Sequence, residues 1–238
     1  MKIAIIPARG GSKRIEKKNI KRFHGKPIIE YPISAALESG CFDKVVVSTD
    51  DEEIARIALA AGAEVPFMRP HELSTDYIAT MDVIQHAIHY FDQSGLLPEY
   101  ACCIYPATPL VDAQLIRDGF DLLCKSEKKY VVTVANYEHP VHRALMIDTD
   151  NKYAGLVPMF REFIGQRSQD LPSSCHDAGQ FYWGHASAYR QGAPFFSGEA
   201  APLFVENWKY VDIDTMEDWE RAEQVFELIK KAKSNGYS

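Results

Sequence analysis

Two groups of residues in this chain have the types and spacing to do chemistry, and they carry opposite charge. The first is the run Ile5-Ile6-Pro7-Ala8-Arg9-Gly10-Gly11-Ser12-Lys13-Arg14, continued by Lys17-Lys18-Asn19. Eight Lys/Arg and one acid, Glu16, fall between Arg9 and Lys26, in a chain whose net charge is −7. Paired glycines let the backbone bend sharply and turn its N–H groups toward an anion. A cationic Gly-rich loop after a first strand is a seat for a polyphosphate. It is neither GxxxxGK[ST] nor GxGxxG, so neither common phosphate fingerprint applies. On these residues alone, a solvated charged face or a nucleic-acid patch stays open.

The second group is Tyr210-Val211-Asp212-Ile213-Asp214-Thr215. In an extended strand, residues two apart share a face, so Asp212 and Asp214 project together. Neighbouring carboxylates repel unless a cation lies between them. A hard ion such as Mg²⁺, completed by phosphate oxygens, fits that need. The alternative is structural: Asp214 caps a helix starting at Thr215 while Asp212 pairs with a lysine. Taken with the cationic loop, the pair points to nucleotidyl transfer, in which basic groups hold a triphosphate and a metal neutralises the reacting phosphate.

The elements that must position these groups are legible as β-α units. KIAII is a buried strand, and Ile29, Ile33 and Leu37 fall on one face of a helix that Gly40 stops. Lys44–Ser48 is a β-branched strand. Asp50 and Glu53 have capping-box spacing for a helix carrying Ile54 and Ile57. Glu64–Met68 reads as a further strand, Met81–Phe91 as a helix, Ala101–Tyr105 as a strand, Ala113–Cys124 as a helix and Tyr130–Ala135 as a strand. Another strand is expected at Gly179–Trp183, and Thr215–Lys231 closes the chain as a helix. Alternation of this kind predicts a single α/β domain over residues 1–238, a Rossmann-like, mostly parallel sheet with helices on both faces. Ligands of such sheets bind at the carboxyl ends of the strands, which gathers Ala8–Lys13, Thr49-Asp50, Arg69–Thr80 and Pro106–Pro109 on one edge. From His139 to Gln180 the pattern turns irregular, as functional or interface segments do.

Composition narrows the classes. At 46% apolar and 25% charged residues the chain is an ordinary globular protein. No apolar run approaches the roughly 20 residues of a membrane span, and the short IAII run is not a signal-peptide core, so the expectation is a cytoplasmic protein with no membrane partner. The five cysteines form no CxxC pair and have no zinc spacing, and Cys102 and Cys103 read as buried thiols. A pI near 5.6 argues against nucleic acid as a partner.

The motifs PARGGSK…KKN, VVVSTDDEEIA, RPHELSTD and YVDIDTMEDW, in this order, resemble the CMP-sialic acid synthetase family of cytidylyltransferases. Within it, Arg167–Pro172 followed by His176-Asp177-Ala178-Gly179-Gln180-Phe181-Tyr182-Trp183 looks most like the members that use pseudaminic acid, a nine-carbon α-keto acid sugar (a nonulosonic acid). The resemblance implies a nucleotide-diphospho-sugar transferase fold in which Ala8, Arg9, Gly10, Gly11, Ser12 and Lys13 surround the CTP phosphates, with Arg9 and Lys18 neutralising them. It implies that Asn19 contacts the nucleoside, that Arg69 and Thr80 read cytosine and ribose, and that Asp76 lies beside them. Asp212 and Asp214 would hold Mg²⁺, with Asp212 favoured to help deprotonate the anomeric hydroxyl. Tyr105, Arg167, His176, Asp177, Gln180 and Tyr182 are the expected sugar-side residues, with Arg167 the partner of the sugar carboxylate. Residues 139–170 would form a small dimerisation extension that lends residues to the neighbouring sugar site of a homodimer.

The chain departs from the sialic acid enzymes where sugar recognition would change. Their QPTSPLR-like loop is Tyr105-Pro106-Ala107-Thr108-Pro109-Leu110-Val111 here, without its Gln and Arg. An arginine they place before Pro-Asn-Gly is His176, followed by Asp177-Ala178-Gly179. The rival readings are a cytidylyltransferase for legionaminic acid, sialic acid or 3-deoxy-octulosonate, and a nucleotide-binding protein without catalysis. Retention of Lys18, Asp212 and Asp214 speaks against the last.

Overall fold

The computed structural model describes residues 1–149 and 154–234. In chain order its elements are β1 (Lys2–Pro7), β2 (Arg22–Phe23), β3 (Lys26–Pro27), α1 (Glu30–Ser39), β4 (Lys44–Ser48), α2 (Glu52–Ala60), α3 (Thr80–Gln93) and β5 (Tyr100–Ile104). There follow α4 (Ala113–Lys125), β6 (Tyr130–Asn136), β7 (Leu145–Asp148), β8 (Gly155–Pro158), β9 (Cys175–His185), α5 (Ala186–Arg190), β10 (Ala200–Phe204) and α6 (Met216–Ser234). Six strands make the central sheet in the order β10-β6-β9-β5-β1-β4. β1 runs parallel to β4 and β5, and β10 parallel to β6, while β9 is antiparallel to both of its neighbours.

Strand alternation divides the core between the two faces. Ala4, Ile6, Val45, Val47, Cys102, Ile104, Phe181 and Trp183 pack with α1, α2 and α4. Ile3, Ile5, Val46, Ala101, Cys103 and Tyr182 pack with α3 and α5. Cys102 and Cys103 are fully buried, as their apolar context predicts, and burial pushes both thiols up. A third cluster joins Ile15, Phe23 and Ile28 to Val211, Ile213 and Trp219, so that α6 and the extended stretch before it clamp the loop after β1. Among the described residues no helix is long and apolar enough to cross a membrane.

Three local expectations change, and the irregular stretch takes a definite form. Glu64–Met68 is not a continuous strand. It touches β4 through two isolated bridges, Val46 to Glu64 and Thr49 to Met68, because Pro66 has no N–H to give to a ladder. The cap of α2 is Asp51, whose carboxylate accepts the N–H groups of Glu53 and Ile54, and this leaves Asp50 free. The strand expected at Gly179–Trp183 begins earlier, at Cys175, and runs antiparallel. Residues 139–170 hold the ribbon β7–β8 outside the main sheet, with residues 150–153 of that stretch outside the described residues.

β9 carries an irregularity that matters below. Between Val132 and Val134 on β6 the register on β9 jumps from Tyr182 to Asp177. The buried Thr133 side chain patches the gap, its hydroxyl accepting from the Phe181 N–H at 3.2 Å and donating to the Phe181 carbonyl at 3.1 Å. Further along, Gly184 is where Tyr130 presses on the strand. A Cβ there would lie 2.4 Å from Tyr130 Cδ1 and 2.9 Å from Tyr189 Cε2, both in the buried core. Gly184→Ala is therefore expected to cost about 1–3 kcal/mol in urea unfolding, the usual range for overpacking. Gly198→Ala, with nothing within 4 Å of the added carbon, serves as the neutral control.

Candidate active site

One cavity of about 450 Å³ opens at the carboxyl ends of β1 and β5. Its wall takes in Arg9, Ser12, Lys13, Arg14, Lys18 and Asn19 from the first group, and Asp212 and Asp214 from the second. Arg69, Asp76, Thr80, Tyr105–Thr108, Asp177 and Gly179 complete the lining named from the sequence.

The loop after β1 is held from below. Ala8 is buried and its N–H binds the Ser48 carbonyl at 2.9 Å, which keeps the chain on β4 as it leaves β1. The Gly10 N–H donates to Asp50 Oδ1 at 3.0 Å, and the Asn19 side-chain amide donates to the Arg9 carbonyl at 2.9 Å. A Cβ on Gly10 would lie 2.7 Å from Asp51 Oδ2, so this position must be glycine for the loop to lie against the start of α2. Gly11 is open on all sides. Arg9 and Lys13 both pair with Asp76, which brings the 69–80 segment over the loop. Those two cations, Lys13 foremost, hold the Asp76 carboxyl below the usual carboxylate range.

Arg69 is buried, with its Nε donating to Ser74 Oγ at 3.1 Å and its guanidinium 3.7 Å from Asp50 Oδ1. Desolvation lowers its proton affinity, while Asp50 works against that shift. Thr80 Oγ1 lies 3.3 Å from the Tyr105 hydroxyl, and burial pushes Tyr105 up to about 12.

Asp212 and Asp214 do face the cavity together, although the stretch is extended chain rather than a sheet strand. Val211 and Ile213 are buried in the cluster under α6, which turns the intervening carboxylates outward. The helix cap that was the structural alternative belongs to Thr215, not Asp214. Thr215 Oγ1 accepts the Asp218 N–H at 3.2 Å, and Asp218 Oδ2 accepts the N–H groups of Thr215 and Asp214 at 2.9 and 3.2 Å. Asp214 instead meets the first group: Arg14 reaches its Oδ1 at 2.8 Å and Lys18 at 3.6 Å. Lys18 also donates to the Ile213 carbonyl at 2.6 Å. Asp212 is reached by solvent through the cavity, yet the surrounding protein and then the Asp214 charge raise its proton affinity.

The sugar-side residues separate. Tyr105 and Asp177 line the cavity. Tyr182 lies behind the wall, 2% exposed, with its hydroxyl donating to Asp177 Oδ2. Gln180 is buried and donates to the Lys209 carbonyl at 3.2 Å. His176 packs between Tyr137 and Tyr210, with Nε2 3.0 Å from the Tyr210 hydroxyl, and does not reach the cavity. Arg167 is exposed on the 139–170 segment and away from the cavity lining. Two contributors were not singled out as site residues. Arg14 sits in the cation run, and Asp50 follows β4 at the sheet edge; both had a signal in position, but their partners are distant in sequence.

The model of the cytidylyltransferase family matches residues 3–227. The pseudaminic acid cytidylyltransferase of Campylobacter jejuni is 38% identical over 227 residues, 95% of this chain and 96% of that protein. The CMP-N,N'-diacetyllegionaminic acid synthase of Legionella pneumophila is 31% identical over 237 residues, 97% of this chain and 98% of that one. Among solved structures, CMP:2-keto-3-deoxy-manno-octonic acid synthetase complexed with CTP has a TM-score of 0.69 over 95% of this chain and 98% of that chain, at 14% identity, which is a likeness of fold. The resemblance read from the motifs and the mostly parallel α/β fold are both borne out. A family match that begins on β1 and ends within α6 takes in every element around the cavity, and the chain therefore belongs to the cytidylyltransferase family.

Proposed function

We propose that this enzyme transfers CMP from CTP to the anomeric hydroxyl of pseudaminic acid, giving the CMP-sugar and pyrophosphate. The observation that carries the chemistry is the meeting of Arg14 and Lys18 with Asp214 in one cavity, which joins a phosphate-binding loop to a carboxylate pair. The choice of sugar rests on the full-length likeness to the Campylobacter jejuni protein and on the His176–Trp183 stretch.

The chain's groups divide the work. The N–H groups of Gly11 and Lys13 and the side chains of Arg9, Lys13 and Lys18 bind the triphosphate. Arg69 and Thr80 face the nucleoside. Asp212 and Asp214 form an all-oxygen donor set that suits a hard divalent ion completed by phosphate oxygens, and the repulsion felt at Asp212 is what such an ion relieves. Mg²⁺ held there supplies charge neutralisation at the α-phosphate. With Asp214 committed to Arg14 and Lys18, Asp212 is the carboxylate free to take the anomeric proton. The sugar oxygen then forms its bond to the α-phosphorus as the bond to pyrophosphate breaks. The protein's contribution is positioning and electrostatics. A reaction that consumes CTP fits a cytoplasmic enzyme.

The second part of the proposal is a homodimer through the β7–β8 ribbon. Leu145, Ile147 and Leu156 on the ribbon, and Ile164 in the loop after it, are each more than half exposed. A two-stranded ribbon is marginal alone in water and needs cover on its apolar side. A second copy of the same ribbon supplies it and carries the 139–170 segment, Arg167 included, toward a neighbouring site.

The first test is pyrophosphate release with CTP and Mg²⁺, using pseudaminic, legionaminic and sialic acids in parallel. Release with pseudaminic acid is expected. Turnover of another of the three in its place discards the sugar assignment and keeps the chemistry. Asp214→Asn is expected to lower kcat by roughly 10²-fold or more with its circular dichroism and melting curve unchanged, as loss of a charge-stabilising group does; near-normal turnover at modest Mg²⁺ removes Asp214 from the metal. In sedimentation velocity the wild-type protein is expected to run as a dimer and Leu156→Glu as a monomer. A monomeric wild type at micromolar concentration overturns the ribbon interface.

A further inference from the structure

Asp177 is an exposed carboxylate on the cavity wall, and no cation lies within ion-pair distance of it among the described residues. Its orientation is nevertheless fixed. Oδ1 accepts the Gly179 N–H at 2.9 Å, and Oδ2 accepts the hydroxyl of Tyr182. Tyr182 is itself immobilised, buried with its ring edge-on to Tyr105 at 5.5 Å and against Phe195 at 4.9 Å. The register jump on β9 comes directly after Asp177, which pairs with Val134 as the last residue of the β9 stretch before it, and Asp177 and Gly179 both line the cavity at this irregularity, as residues at bulges beside active sites do. Gly179, at φ 61°, completes the turn and faces Asp212, whose carboxyl would lie 3.9 Å from a Cβ at that position.

An ionised carboxylate is an acceptor only, with two lone pairs on each oxygen. One on each is used from behind, and the others are left for the cavity. With no cation beside it, Asp177 repels a substrate carboxylate. An acidic sugar must therefore turn its acid group elsewhere and present hydroxyl or amide N–H donors here.

We infer that Asp177 reads the acceptor sugar by accepting hydrogen bonds from its O–H or N–H substituents, and that Tyr182 is a positioning residue that aims Asp177 without touching substrate. The inference rests on the reaction proposed above and adds to it the residue that discriminates the acceptor.

The test is steady-state kinetics and a double-mutant cycle with Asp177→Asn and Tyr182→Phe, both of which preserve shape. Asp177→Asn is expected to raise KM for the sugar about tenfold or more, the scale of a lost hydrogen bond to a charged group, with KM for CTP and the Mg²⁺ requirement unchanged. Tyr182→Phe is expected to move the same constant in the same direction by less. Adding it to Asp177→Asn is expected to cost little more, because the two act as one unit. A sugar KM within about twofold of wild type in Asp177→Asn, or fully additive effects, overturns the inference. So does a change confined to CTP or Mg²⁺, which would assign Asp177 to the nucleotide or the metal. The constants are measured with whichever nonulosonic acid the wild-type protein turns over, so the choice of sugar and the role of Asp177 fail separately.

Discussion

The carboxylate of Asp50 is the pin on which the nucleotide side of the cavity turns. One oxygen, Oδ1, accepts the Gly10 N–H and faces the buried Arg69 guanidinium. Three segments remote in sequence thus converge at one atom: the loop after β1, the end of β4 and the start of the 69–80 segment. Arg69 is 5% exposed, and a buried cation stripped of its counter-charge costs several kcal/mol. The loop is therefore held in place by the need to keep Arg69 compensated. Asp50 is free for this only because Asp51 takes the cap of α2.

Over that fixed base the charges are arranged to exchange partners. Arg9 and Lys13 pair with Asp76, and Arg14 with Asp214, in contacts that are open to solvent. Ion pairs open to solvent in this way are weak, because water and salt screen them. They keep like charges from repelling one another, yet a polyphosphate that offers several oxygens to the same cations replaces them at small cost. Rigidity resides in the backbone contacts below and lability in the side chains above.

The sequence made the parallel units and the two charged groups legible because each is local. Strand alternation, the helical spacing of Ile29 and Ile33, and the cation run from Arg9 need no knowledge of distant contacts. The shared direction of Asp212 and Asp214 is also local, since burial of Val211 and Ile213 sets it even without a sheet. What was not legible depends on pairing. Asp50 and Asp51 are adjacent and chemically alike, and only the tertiary partners Gly10 and Arg69 tell them apart. The antiparallel sense of β9 was likewise hidden, because a buried strand between two others carries an apolar pattern in either direction. His176 shows the same limit: it is paired next to Asp177 on β9, so strand alternation sends one to the aromatic cluster with Tyr137 and Tyr210 and the other to the cavity, and which of the two faces the cavity depends on the tertiary register.

That antiparallel sense has a consequence for how sugar and nucleotide recognition are divided. Parallel strands deliver their carboxyl ends to the ligand edge, as β1 and β5 do here. β9 delivers its amino half instead, since Ile104 at the end of β5 pairs with Phe181 and the residues before Phe181 extend beyond it. In the sheet order β9 and β1 flank β5, so the bulge with Asp177 and the phosphate loop stand on opposite sides of Tyr105–Thr108. Residues of the β9 bulge can change without removing a polar partner of Asp50, Gly10 or the Arg69 side chain, which bond to one another and to Ser74. A change of acceptor sugar therefore requires no change in the groups proposed to hold the triphosphate. The departures from the sialic acid pattern fall where this division allows them, after β5 and in the first half of β9.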